Sequence, residues 1–328
     1  MQRRGFIGLV GGAAVAWPFA AWAQQPTMPV VGYLGIETPE LYASRLRAFR
    51  EGLSSTGYEE GRNVVIDYRW AEGHNERLPV LAADLVRRQV AVIAAPGGSI
   101  GAKAVKGVTS TIPIVFEMGG DPVASGLVAS LNKPGGNITG ATSLSGEVGP
   151  KRLELLHEIV PAATLFGVLV NSTNSSGSQA TIKLVQAAAV SLGLHVQILD
   201  ASTEGDFDTA FATLAKLNAG GMVVGNDTFF ATREKQLAAL AVRYAIPTVA
   251  QSREFAVAGG LISYSGNFTE THRLAGIYTG RILKGEQPSN LPVVRSTQVE
   301  LFINLKTAEQ LGLNMPLSIL GRANEVIE

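Results

Sequence analysis

Short apolar runs alternate with amphipathic stretches along most of the chain. Residues 30–36 form one apolar run, and 41–55 carry Leu46, Phe49 and Leu53 at helical spacing. Alternation over 63–70 reads as a strand and 78–86 as an amphipathic helix. The Val/Ile-rich runs 90–95 and 112–116 read as buried strands. Continuous β-branched runs separated by helices predict a parallel sheet covered on both faces, hence a doubly wound α/β fold.

The same order then starts again. Leu165-Phe166-Gly167-Val168 repeats the character of Val31-Gly32-Tyr33-Leu34, and 195–199 answers 64–68. The helix at 207–217 answers the helix at Leu78. Gly221-Met222-Val223-Val224 answers Ala91-Val92-Ile93-Ala94, and Ile246-Pro247-Thr248-Val249 answers Ile112-Pro113-Ile114-Val115. All five pairs lie roughly 130 residues apart, which predicts two similar α/β lobes and not one lobe with insertions. Later segments, a strand at 261–264, a helix at 268–283, a strand at 299–304 and a short helix at 305–311, do not fit two separate tandem units. They predict that the chain crosses between lobes more than once, forming a multi-strand hinge. The expected division is 24–142 with about 259–290 in the first lobe, and 143–258 with about 291–328 in the second.

The N-terminus changes the picture of where this fold works. Arg3 and Arg4 precede an uncharged apolar stretch over 6–21, which ends in Ala21-Trp22-Ala23. That arrangement predicts an export signal cleaved after Ala23. Arg3-Arg4-Gly5-Phe6-Ile7 also matches the twin-arginine pattern. The chain has no cysteine, which excludes disulfides, thiolate metal sites, cysteine nucleophiles and a lipoprotein anchor. A soluble periplasmic protein is therefore expected. Losing the two signal arginines takes the formal charge from 0 to −2, so charge gives no reason to expect nucleic-acid or anionic-membrane binding.

In open α/β sheets ligands sit beyond the carboxyl ends of the strands. The first lobe offers Glu37, then Gly97, Gly98 and Ser99, then Asp121 at these positions. The second offers Asn171 and Ser172, then Asn226 and Asp227, then Arg253 and Glu254. Gly97 and Gly98 precede a helix whose N-terminal amides favour an anion such as a carboxylate. Asp121, Asp227 and Glu254 suit an ammonium group or hydroxyls, and Arg253 suits a carboxylate. Each is equally an ordinary turn or N-cap residue. Tyr33, Trp70, Phe229 and Phe230 are candidates for stacking on an aromatic ligand or for core packing.

An enzymatic alternative rests on Gly97-Gly98-Ser99-Ile100-Gly101, which matches the G-x-S-x-G nucleophile elbow. A secreted serine hydrolase using Ser99 would need a late histidine, and His272 falls inside a predicted helix. His74, His157 and His195 are scattered without metal-ligand spacing, and no Walker or dinucleotide glycine motif follows a strand. No metal or cofactor is expected.

Several motifs carry a resemblance over essentially the whole mature chain. They are Val31-Gly32-Tyr33-Leu34, Gly57-Tyr58-Glu59-Glu60-Gly61-Arg62-Asn63-Val64, Asp121-Pro122-Val123, Leu131-Asn132-Lys133-Pro134-Gly135-Gly136-Asn137-Ile138-Thr139-Gly140, and Ile303-Asn304-Leu305-Lys306-Thr307-Ala308. The chain resembles ABC transporter substrate-binding proteins of the tryptophan/tyrosine type, with the type I periplasmic binding fold. The resemblance implies capture of a small solute between the lobes and delivery to a permease and ATPase on other chains. It also implies no catalysis and a monomer. It puts Ser99, Asp121, Asn171, Asp227 and Glu254 toward the ligand. Glu37 stands where amino-acid binders often have Gln, and Arg253 where an acid is common. The solute class therefore stays open between an amino acid and an aromatic or carboxylic acid. A ligand-sensing receptor domain is a further alternative.

Overall fold

The structure, a computed structural model, describes residues 28–143 and 145–328. The expected signal segment lies outside the described residues. Among the described residues, thirteen strands form two sheets. In chain order, β1 (Val30–Gly35), β2 (Val65–Trp70), β3 (Val92–Pro96), β4 (Ile114–Met118) and β5 (Ile138–Thr142) begin the first. Next, β6 (Leu165–Val170), β7 (His195–Asp200), β8 (Met222–Val224), β9 (Thr248–Ala250) and β10 (Ile262–Gly266) begin the second. The last three are β11 (Val294–Arg295), β12 (Val299–Asn304) and β13 (Glu325–Ile327).

The first sheet runs β11-β5-β4-β3-β1-β2 and is parallel throughout. Its strands are apolar on both faces because both are covered. Val92 and Ala94 of β3 face one cluster, Ile93 and Ala95 the other, as period-2 geometry requires. On one side, helices α1 (Ala43–Ser54) and the later Phe268–Leu283 bury Phe49, Leu53, Ala275 and Tyr278. On the other, α2 (Leu78–Arg87) and α3 (Ser99–Lys106) bury Leu78, Leu85, Ala102 and Val105.

The second sheet runs β13-β12-β10-β9-β8-β6-β7. Helices α4 (Gly149–Ile159) and α5 (Ser175–Leu192) cover one face, and α6 (Glu204–Lys216) the other. The short α7 (Thr228–Ala231) follows β8 and leads into α8 (Glu234–Arg243), and α9 (Arg253–Val257) follows β9. The repeat is now visible as topology: β4-β3-β1-β2 in one sheet matches β9-β8-β6-β7 in the other. A packing detail repeats too. A Cβ on Gly32 of β1 would lie 3.1 Å from Leu85 of α2, and one on Gly167 of β6 would lie 2.4 Å from Leu214 of α6. In each lobe the second crossover helix leans on a glycine of the first strand.

The chain passes between lobes three times: over 143–148, at Asn267 before helix α10 (Phe268–Leu283), and over 296–298. This corrects the expected division. Residues 262–266 belong to the second sheet, pairing parallel with β9 and antiparallel with β12. Val294 and Arg295 pair with Ala141 and Thr142 and so belong to the first. Strand character was evident at both places, but pairing partners far along the chain were not. β12 is also an antiparallel member of a sheet expected to be parallel. Helix α10 returns to the first lobe, where it meets α1 at Gly52 and Gly276. A Cβ on Gly52 would lie 1.9 Å from the Arg273 carbonyl oxygen, and one on Gly276 2.0 Å from that of Phe49.

Candidate functional site

Strand ends from both lobes border one cavity of about 200 Å3. That is roughly the liquid volume of seven waters at about 30 Å3 each, the scale of one small solute. The first lobe contributes the ends of β1, β3 and β4 and the first turn of α3. The second contributes the start of α5, Asn226 to Thr228, and Gln251.

The β3–α3 connection turns sharply through Gly97 (φ 103°) and Gly98 (φ 128°), a region open chiefly to glycine. Space demands glycine as well, since a Cβ on Gly97 would lie 2.3 Å from the Tyr42 hydroxyl. The two glycines do not themselves offer amides to an anion. The Gly97 and Gly98 N–H groups donate to the Glu117 carbonyl at 3.1 and 3.0 Å, so they point into the protein. No side chain caps α3, and its first turn, Ser99 and Ile100, borders the cavity. The amides left for an anion are those of this turn.

Opposite stand Asn226 and Asp227. Asn226 Oδ1 is buried without a partner. Asp227 is 7% exposed and caps α7 by accepting from the Phe229 N–H at 2.8 Å. Asn171 Nδ2 donates to its Oδ1 at 3.1 Å and Asn174 Nδ2 to its Oδ2 at 2.8 Å. Three donors hold this carboxylate in place.

A buried polar cluster forms the β1 flank. Glu37 is 3% exposed, and burial pushes its carboxyl up to about 7 against the pull of Arg45. Burial likewise pushes Glu117 up to about 7, opposed by the Thr271 hydroxyl and Arg45. Arg45 reaches Glu37 at 3.7 Å and, across the cleft, Glu254 at 3.5 Å. Burial opposes its charge, but these two carboxylates hold it protonated above the ordinary value. Its guanidinium lies between the rings of Tyr42 and Phe268, 5.1 and 4.9 Å from their centroids.

The expected site residues therefore separate. Glu37, Gly97, Gly98, Ser99, Asp121, Asn226 and Asp227 border the cavity. Asp121 is exposed, and its side chain accepts from the Val123 and Ala124 N–H groups, as a turn residue does. Four do not border it. Asn171 sits behind Asp227 and orients it. Ser172 turns away and donates its N–H and hydroxyl to Asp200 at 2.8 and 2.7 Å. Arg253 forms a two-pronged pair with Glu325 on the surface at 2.7 and 2.6 Å. Glu254 stands behind Arg45. Tyr33, Trp70 and Phe230 are packing residues, with the Trp70 ring filling the space over Gly35, and Phe229 stacks under Arg233.

Tyr42 and Arg45 were missed because neither follows a strand, Glu117 fell at the predicted end of β4 but Asp121 was chosen there, and Phe268, two residues past β10, was passed over. A signal existed for Arg45: with Leu46 and Phe49 it falls on the apolar stripe of α1, where a charge needs a reason. Glu117 likewise interrupts a fully buried strand. The nucleophile-elbow reading finds a different geometry. His272 Nδ1 lies 2.8 Å from the Phe268 carbonyl and its Nε2 3.8 Å from Glu117, and burial lowers its pKa to about 3. Ser99 donates to no imidazole among the described residues.

Comparison with known proteins agrees with this architecture. Residues 33–327 match the family model of ABC transporter substrate binding proteins. A tyrosine-binding protein of Clostridioides difficile (strain R20291) is 28% identical over 281 residues, 85% of this chain and 79% of the relative. The structure of a conserved domain protein from Vibrio cholerae superposes with TM-score 0.84 at 26% identity, covering 91% of this chain and 99% of that one. A Streptococcus ABC domain in complex with L-Trp superposes with TM-score 0.83 at 22% identity, with the same coverage. Two lobes around a solute-sized cavity, matched over nearly the full described length, place this chain in the ABC transporter substrate-binding protein family.

Proposed function

We propose that the cavity holds an α-amino acid with an apolar or aromatic side chain, bound as its zwitterion. One observation carries this reading: the uncapped first turn of α3 borders the cavity from one lobe, while Asn226, whose buried carbonyl oxygen has no partner, and the Asp227 side chain belong to its wall in the other. Amides at a helix N-terminus suit a carboxylate. Two acceptors, one of them anionic, suit an ammonium. A plain carboxylic acid leaves Asp227 unmatched, so the zwitterion is favoured over the aromatic-acid alternative. Ile36, Ile100, Met118 and Phe268 supply apolar surface for the side chain. The relatives that bind tyrosine and L-Trp support an aromatic one.

In this reading Ser99, Asn226 and Asp227 touch the ligand, while Asn171 and Asn174 orient Asp227. Ligand closes the lobes because it contacts both of them only when they are together. The closed protein then docks on a permease coupled to an ATPase. The export pattern over 1–23 supports capture in the periplasm. No helix among the described residues is long and apolar enough to cross a membrane.

Thermal-shift measurements with L-tryptophan, L-tyrosine, L-phenylalanine, 3-phenylpropionate and phenethylamine test the reading. An amino acid at 100 times its Kd adds about 2.7 kcal/mol of stability, whereas the two truncated analogues leave the melting temperature unmoved. Stabilisation by 3-phenylpropionate equal to that by L-phenylalanine overturns the ammonium assignment.

A further inference from the structure

Strand order puts the end of β1 on one side of β3 and the end of β4 on the other. The Asn174–Asp227 corner is built on β6 and β8, and the flank under β1 is built differently. Three of its polar side chains are buried with most of their bonding capacity unused. Tyr42 is fully buried, borders the cavity against Gly97, and its hydroxyl has no partner. Glu37, also on the cavity wall, accepts no hydrogen bond from any described residue, and its nearest cationic atom is Arg45 Nη1 at 3.7 Å. Arg45 engages a single N–H, donated to Glu254 at 3.5 Å, out of the five a guanidinium carries. Buried polar groups in folded proteins are nearly always partnered, so an unpartnered hydroxyl beside a loosely paired carboxyl and guanidinium marks a place where the solute supplies the partner.

The chemistry of that partner follows from the charges. A carboxylate tip would lie against Glu37 and Glu254, and an ammonium tip against Arg45. A neutral group that both donates and accepts matches all three: its lone pairs face Arg45 and the Tyr42 O–H, and its proton faces Glu37. We propose that this flank is a specificity subsite for a hydroxyl or carboxamide at the far end of the solute's side chain, with Tyr42 as the residue that reads it. The proposal rests on the zwitterion reading above, which orients the head of the solute toward α3 and Asp227. It predicts discrimination within aromatic amino acids: a ring bearing a para-hydroxyl fills the subsite, while an unsubstituted ring leaves it unmatched. Sites built to bond a hydroxyl reject the analogue lacking it far more strongly than apolar pockets reject an extra methylene.

Isothermal titration of wild type and Tyr42→Phe with L-tyrosine and L-phenylalanine tests it. Wild type binds L-tyrosine at least about tenfold more tightly than L-phenylalanine, the effect of one buried hydrogen bond. Tyr42→Phe loses about tenfold for L-tyrosine and nothing for L-phenylalanine. The ligand-free variant melts no lower than wild type, because the deleted hydroxyl has no partner in the protein. Equal binding of the two amino acids by wild type overturns the subsite and leaves the zwitterion reading standing. An equal loss for both ligands in Tyr42→Phe makes Tyr42 a shape-giving residue and likewise overturns it. If neither amino acid binds, the zwitterion reading fails and the subsite with it.

Discussion

Glu37→Gln should make the protein more stable at alkaline pH relative to wild type, and the size of the effect follows from the site. Burial raises the Glu37 carboxyl from 4.5 to about 7. The folded protein therefore holds this proton through a window in which the unfolded chain has released it. For a raised carboxyl the stability is fully present below about 4.5 and is lost as pH rises through about 7. Between pH 5 and pH 8 the loss assigned to Glu37 works out at about 2.5 kcal/mol. The absolute curve of the wild type does not isolate it. Glu117 titrates near 7 as well, and His272, lowered to about 3, runs the other way by taking up a proton only when unfolded. The difference between variant and wild type does isolate it, because Gln carries no proton to release. Urea unfolding of both proteins at pH 5 and pH 8 gives that difference. The gain from Glu37→Gln should be larger at pH 8 than at pH 5 by about 2.5 kcal/mol. A gain independent of pH would mean that Glu37 stays ionised throughout and that its burial is compensated by Arg45.

Three further outcomes follow from the packing. Asp227→Ala removes the acceptor for Asn171, Asn174 and the first turn of α7. It should cost about 1–3 kcal/mol of stability as well as amino-acid affinity, so titrations belong well below its melting temperature; an unchanged melting temperature contradicts the network. Arg253→Ala breaks an exposed pair with Glu325, whose side chains are 47% and 39% exposed, and removes the guanidinium from over the Phe302 ring. It should change stability by at most about 1 kcal/mol and leave ligand affinity as it was; a tenfold affinity loss would return Arg253 to the site. Gly52→Ala places a methyl 1.9 Å from the Arg273 carbonyl oxygen. It should destabilise by about 3 kcal/mol, read by urea unfolding, whereas a neutral result means α1 and α10 can separate without loss.

Much of the fold was legible because its signals are local or repeated. Apolar runs of strand length, helical spacing between them and one recurring interval were enough to give two α/β lobes, since each lobe independently satisfies the same rule of a sheet covered on both faces. The assignment of 262–266 and of Val294 and Arg295 to their sheets was not legible. A strand's own pattern records that it is buried, whereas its neighbours are selected by pairing across long sequence separations. Gly266 opposes Val299, and Val294 opposes Ala141. Nothing in those residues names its partner.

The site shows the same division between position and direction. The rule that ligands lie beyond strand ends located the cavity, and residues such as Ser99 and Asn226 border it. It could not say which way each strand-end side chain turns. Ser172 and Asn171 are adjacent, yet one bonds Asp200 on an exposed surface and the other bonds Asp227 in the interior. Direction is set by competing partners, and a short polar side chain takes whichever donor or acceptor its turn brings near. Long side chains escape that constraint. Arg45 sits on a helix, not after a strand, and still reaches Glu37 in its own lobe and Glu254 in the other. Its signature in the sequence is therefore conflict with its surroundings: a guanidinium on the stripe that holds Leu46 and Phe49. The same test picks out Glu117 between Phe116 and Met118. Both misplaced charges belong to the flank that holds Glu37 and the unpartnered Tyr42 hydroxyl, so violations of the burial pattern add to this corner of the cavity the long side chains that the strand-end rule could not reach.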